Sequence, residues 1–207
     1  AAGVGRRARR QERPSRAPRR LTYAGPRVAQ PYLIRSYLAP ERDSGDQGKA
    51  AALVYLAEIL GGSGATSVMG RALEFDRQIA LHTSAGYGAT SLDMTTFSLV
   101  VVPAEGVSLG DAEAALDEVL AGFLEDGIDP EQFARIQMQV RAAEIYALDD
   151  VGDLAERYGR ALTSGLTVDD VAAWPEGLQA VTPEEVMAAG REVLAKGRAG
   201  TGWLVAA

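Results

Sequence analysis

Apolar residues alternate with other residues in a few short stretches of this chain and recur at three- and four-residue spacing through most of the rest. Two extended stretches lie around residues 21–23 and 27–38. In the second, Val28, Tyr32, Ile34, Ser36 and Leu38 share one side, with Gln30 interrupting the apolar face, and the pattern predicts a strand. Residues 44–47, Ser-Gly-Asp-Gln, read as a capping box, Ser44 accepting a backbone N–H and Gln47 reaching back. The helix they open carries Leu53, Leu56, Ala57 and Leu60 on one face and ends at Gly61 and Gly62. Thr66 or Ser67 caps a second helix bearing Met69 and Leu73. Residues 79–87 then alternate, with Ile79, Leu81, Thr83, Ala85 and Tyr87 on one side. Residues 94–102 form a further strand whose Phe97, Leu99 and Val101 face one way. The short connection at 88–92 predicts an antiparallel hairpin.

After Pro103 the period becomes helical. Ser108 opens a helix with Leu116, Val119, Leu120, Phe123 and Leu124 in register. Asp129, Pro130 and Gln132 supply a cap, an N1 proline and an N3 glutamine for the next, which carries Phe133, Ile136 and Val140. Asp149 or Asp150 opens another through Leu154, Tyr158 and Leu162. Thr167 starts a short helix expected to stop at Trp174-Pro175, and Thr182 one that ends near Gly197. Residues 201–206 read as a final strand. The order β, α, α, β, β, several α, β predicts an α+β domain, an antiparallel sheet with helices packed on one face. No period of 20–50 residues recurs, which excludes a solenoid.

Charge divides the chain in two. The net charge is −7, but residues 1–20 hold eight arginines against Glu12, so the remainder is strongly acidic. Residues 1–20 lack apolar periodicity and mix arginine with proline. They read as a disordered linker, and residues 21–207 as one domain. No aromatic residue interleaves the arginines to stack on bases, and the acidic body repels a nucleic-acid backbone, so no nucleic acid is expected. No apolar run is long enough to span a bilayer.

Candidate chemistry gathers at residues 61–67, Gly-Gly-Ser-Gly-Ala-Thr-Ser. The run lacks the Gly-Lys-Ser/Thr ending of a phosphate loop and follows a helix instead of a strand. It reads as a tight helix–helix corner whose glycines also let another chain approach. The chain has one histidine, His82, and no cysteine. A catalytic zinc site normally needs three protein ligands, most often including two histidines, so this chain is a poor zinc protein. Without a clustered partner, His82 reads as a surface or satisfied side chain. The acidic group Asp149, Asp150, Asp153 and Glu156 suits a helix start better than a cation.

Several segments together resemble one family: Arg35-Ser-Tyr-Leu-Ala-Pro40, Ala57-Glu-Ile-Leu-Gly-Gly62, Thr66-Ser67 with Arg71-Ala-Leu73, Ala143-Glu-Ile-Tyr-Ala147, and Leu162-Thr-Ser-Gly-Leu-Thr-Val168. Trp174-Pro, Ala180-Val-Thr182 and Thr201-Gly-Trp-Leu204 complete the set. In this order they resemble the carboxy-terminal, metal-free half of pitrilysin- and insulinase-type (M16) zinc peptidases, similar to bacterial zinc proteases and mitochondrial processing peptidase subunits. The resemblance runs from Leu21 to Ala207.

The resemblance implies two homologous halves closing as a clamshell. Zinc is then expected on an H-x-x-E-H motif in an amino-terminal half or partner chain, with no cofactor in this one. It implies a substrate-binding half that is inactive alone and has no catalytic residue, and a peptide as substrate. Some relatives work as separate chains, so a homo- or heterodimer is compatible with it. The alternative is a stand-alone non-catalytic binding or assembly subunit. The family also suggests a periplasmic location, although no signal peptide is present in this sequence.

In processing-peptidase relatives the non-catalytic subunit's glycine loop, here at 61–66, is implicated in substrate recognition. Many members also carry an Arg and a Tyr seven positions apart that bond the substrate backbone. Those positions are Glu74 and Leu81 here, while Arg71, Arg77 and Tyr87 lie nearby off that spacing. The substrate-binding candidates are therefore Gly61, Gly62, Gly64, Arg71, Arg77 and Tyr87.

Overall fold

The computed structural model describes residues 17–62 and 64–207. Among these, five strands form one sheet in the order β1-β5-β2-β4-β3. They are β1 (Arg19–Gly25), β2 (Tyr32–Ala39), β3 (Ala80–Tyr87), β4 (Thr95–Pro103) and β5 (Gly200–Ala206). The α+β architecture follows the sequence pattern. All neighbouring pairs are antiparallel except β1–β5, which makes the sheet mixed. The hairpin joins β3 to β4 as expected. The linker expectation for residues 1–16 lies outside the described residues, and β1 already opens at Arg19.

One face of the sheet packs on the helices. Across β2 and β4 the opposed pairs Leu33–Val101 and Tyr37–Phe97 are buried at 1% exposure or less. The apolar set expected for β2, Tyr32 to Leu38 at even positions, lies on the other face and is only half-buried. Leu33, Arg35, Tyr37 and Ala39 take the core side instead. The reason is Arg35, whose charge disguises a core position. Its guanidinium is neutralised from α2 (Leu109–Asp126) by Glu113 at 2.8 Å and by Asp117. Glu113 also accepts from Trp203 Nε1 at 3.0 Å and from Arg20 at 2.8 Å, so one carboxylate ties α2 to β1, β2 and β5.

The helical layer is α1 (Gly48–Ala57), α2, α3 (Pro130–Tyr146), α4 (Val151–Ser164), α5 (Val168–Gln179) and α6 (Pro183–Val193). Ser108, Asp129 and Asp150 cap as the sequence predicts. Thr167 and Thr182 each complete a capping box, with Asp170 and Glu185. The box expected at Ser44 and Gln47 does not form, because both side chains have other work. Ser44 donates to Asp170 at 2.7 Å, and Gln47 accepts from Arg42 and donates to the Asp170 carbonyl at 3.0 Å. Asp170, bonded by Ser44, Thr167 and Gly45, is held well below the usual carboxylate pKa. Helix α5 passes through Pro175 instead of stopping there. The ring forfeits one helical bond, and burial of Trp174 and Leu178 on either side holds the turn together.

Candidate functional site

Two π-helical segments flank the glycine corner. Glu58–Gly62 prolongs α1, and Gly70–Asp76 forms most of the second predicted helix. π-helical turns are rare and concentrate at functional sites. Between them Gly64–Thr66 makes a single 3-10 turn. Ser67 then caps: its hydroxyl donates to the Gly64 carbonyl at 2.9 Å and accepts from the Gly70 N–H at 3.1 Å.

The glycines divide by role. A Cβ on Gly61 would stand 2.2 Å from the Ala85 nitrogen, and one on Gly70 would stand 1.9 Å from the Gly64 carbonyl oxygen. These two let backbone meet backbone, first against β3 and then across the corner. Gly62 and Gly64 are exposed. Gln132 near the start of α3 braces the turn from outside. Instead of closing a capping box it donates to the Thr66 carbonyl at 2.8 Å and the Ile59 carbonyl at 3.4 Å.

Outside this corner a groove of about 830 Å³ runs between the second π-helical segment and helices α2 and α3. Arg71, Phe75, Arg77, Glu131 and Arg135 line it beside Thr66. Arg71 is exposed, and Arg77 pairs with Glu118 at 2.7 Å in a solvated, weak ion pair. Phe75 is 55% exposed, a large aromatic left without cover that sequence reading missed. Of the expected contacts, Arg71 and Arg77 therefore share one groove that begins at the glycine corner. Tyr87 stands apart. Its hydroxyl donates to the Pro40 carbonyl and its ring stacks on Phe97 at 6.4 Å, while burial pushes the phenol pKa up.

The two positions where the resemblance places an Arg and a Tyr are also resolved. Glu74 turns inward and accepts from the Thr83 N–H at 2.6 Å and hydroxyl at 2.7 Å. It thereby secures β3 just beyond the register shift between Ala80 and His82. Leu81 is exposed at that same irregularity. His82 is exposed as well, and no cluster of three or more His, Cys, Asp or Glu suited to a metal occurs among the described residues. One exposed histidine without carboxylate partners does not fit zinc. Among the described residues of the groove, the Ser67 hydroxyl is bonded to the Gly64 carbonyl and the Gly70 N–H. The groove lining brings together cations, carboxylates and an exposed aromatic ring.

The family profile described as the peptidase M16 inactive domain matches residues 5–140. The chain belongs to the M16 peptidases, as an inactive domain of that family. Comparison with curated protein sequences finds no match. Solved structures agree in fold. A protease from Helicobacter pylori aligns at a TM-score of 0.84 with 14% identity, over 97% of this chain and 48% of that one. A peptidase M16 inactive domain from Pseudomonas fluorescens gives 0.78 with 18% identity, over 96% and 46%. The first half of the periplasmic protease PqqL from Escherichia coli gives 0.74 with 14% identity, over 93% and 43%. The chain thus spans about half the length of these structures.

The M16 inactive domain uses Glu74 for its own fold, which has a measurable consequence. Glu74→Ala strips two hydrogen bonds from Thr83, and the expected loss is about 2 kcal/mol, or roughly 4–8 °C in Tm. A thermal melt unchanged by the substitution would contradict the bracing role.

Proposed function

We propose that this inactive domain is the substrate-binding, clamshell-closing half of a zinc-dependent endopeptidase. One observation carries the reading: the chain belongs to the M16 inactive domains while its sequence, with one histidine, contains no H-x-x-E-H motif. Zinc and hydrolysis then reside on an amino-terminal half or partner chain. The groove beside the glycine corner is the surface offered to a peptide, through the Arg71 and Arg77 guanidinium groups and the Phe75 ring, with exposed Gly62 and Gly64 just before its first lining residue, Ala65. Glu74 is committed to Thr83, so backbone recognition passes to these neighbours. The likeness to PqqL supports a periplasmic setting.

The test pairs this chain with an H-x-x-E-H-bearing M16 half and follows cleavage of a fluorogenic peptide. Hydrolysis should require both parts. Arg71→Ala combined with Arg77→Ala should raise KM about tenfold with little change in kcat, the sign of lost uniform binding. Unchanged KM would remove the groove from substrate binding. A pair that forms but never cleaves would favour a stand-alone binding subunit.

A further inference from the structure

A second cavity, of about 480 Å³, lies against the carboxy-terminal half of α3, away from the groove at its start. Arg42 forms part of its wall. This side chain is 7% exposed, yet among the described residues its guanidinium donates to neutral acceptors. It donates to Gln47 Oε1 at 2.8 and 2.6 Å, to the Thr90 hydroxyl at 3.4 Å and to the Asp170 carbonyl at 3.4 Å. Its plane covers the Trp174 ring at 3.9 Å. The Asp170 carboxylate is already turned to Ser44, Gly45 and Thr167. Burial, then the nearby Arg157, lowers the Arg42 pKa to about 10, which leaves it charged at neutral pH. Asp170 and Glu144 attract this cation, but among the described residues no carboxylate forms an ion pair with it. A buried cation so placed is costly, and an arriving anion offsets that cost.

Arg157 and Arg160 line the same cavity. Arg157 is taken by Glu144 at 2.6 Å, and Arg160 by Glu156 one turn earlier in α4. Glu58 and Glu144 are the carboxylates in the lining, against three arginines. The rest of the wall is largely apolar: Val54, Val140, Ala143 and Leu178. The volume suits a small organic ligand and leaves a lone inorganic anion mostly uncontacted.

We propose that this cavity binds the carboxylate of an apolar residue, as found at the free C-terminus of a peptide. The carboxylate faces Arg42 and Arg157, and the side chain lies on Val140 and Leu178. This assignment does not rest on the peptidase reading.

Calorimetric titration of the full chain decides it, with acetyl-Ala-Leu acid, the corresponding amide, free leucine and inorganic phosphate as ligands. Trp174 emission serves as the local signal. The acid should bind about tenfold or more tightly than the amide, the worth of a charge-assisted hydrogen bond. Arg157→Gln should weaken it several-fold, and Glu144→Gln, which releases Arg157, should tighten it, both with melts showing a folded chain. Free leucine binding as well as the dipeptide keeps the site and assigns it to a free acid. Four outcomes overturn the proposal: no binding of any acid, equal binding of acid and amide, phosphate binding as tight as the acid, or the same affinity in both variants.

Discussion

Gly61→Val is expected to unfold the chain or to cost more than about 3 kcal/mol. The new Cβ would stand 2.2 Å from the Ala85 nitrogen and 2.6 Å from the Ser84 carbonyl carbon. Both are backbone atoms of β3, so relief requires moving a strand, not turning a side chain. Gly64 provides the contrast within the same loop. A Cβ there meets nothing within 4 Å. Gly64→Ala should stay within about 0.5 kcal/mol of the parent. Urea denaturation of the two variants separates a packing glycine from one that faces outward. Equal stability of Gly61→Val and the parent would refute the close approach.

Arg35→Met should cost about 3–5 kcal/mol, because it leaves Glu113 and Asp117 facing a buried apolar side chain. It also changes how stability responds to acid. Burial raises the Glu113 pKa, but bonds from Arg20 and Arg35 outweigh it and hold the carboxyl below the ordinary 4.5. Burial is likewise outweighed at Asp117, by Lys196 and Arg35, so it lies below 3.8. A carboxylate with a depressed folded pKa stabilises above its unfolded value and loses that contribution as pH falls through the folded one. The parent should therefore weaken progressively below these two ordinary values. In Arg35→Met both carboxyls move up and the loss below pH 4.5 should be shallower. Denaturant midpoints measured at neutral pH and down through that window read both effects. A parallel pH dependence in parent and variant would contradict the network.

The layer order was legible because strands and helices of this chain keep distinct hydrophobic periods and most helix starts carry side-chain caps. What misled was charge in the core. Arg35 sits on the buried side of β2, so polarity pointed at the wrong face until Glu113 and Asp117, some 80 positions along the chain, supplied its partners. Ser44 and Gln47 failed for the same kind of reason. Local spacing suggested a cap, and a distant acceptor, Asp170, used the donors instead. The local effect of Pro175 is to end a helix, and burial of Trp174 and Leu178 overrides it. At the site, three glycines in four positions marked the corner, and Arg71 and Arg77 fell within its groove. Nothing in spacing could show that Gly61 faces β3, that Gln132 braces the turn, or that Tyr87 is bonded to Pro40.

The reading of this chain as an inert half is tested most directly by zinc and peptide on the isolated protein. Metal content after dialysis against micromolar zinc, measured alongside cleavage of an unstructured peptide, gives both parts of the answer at once. The isolated chain should hold far less than one zinc per chain and show no hydrolysis above the metal-free blank. Stoichiometric zinc with chelator-sensitive cleavage would contradict it.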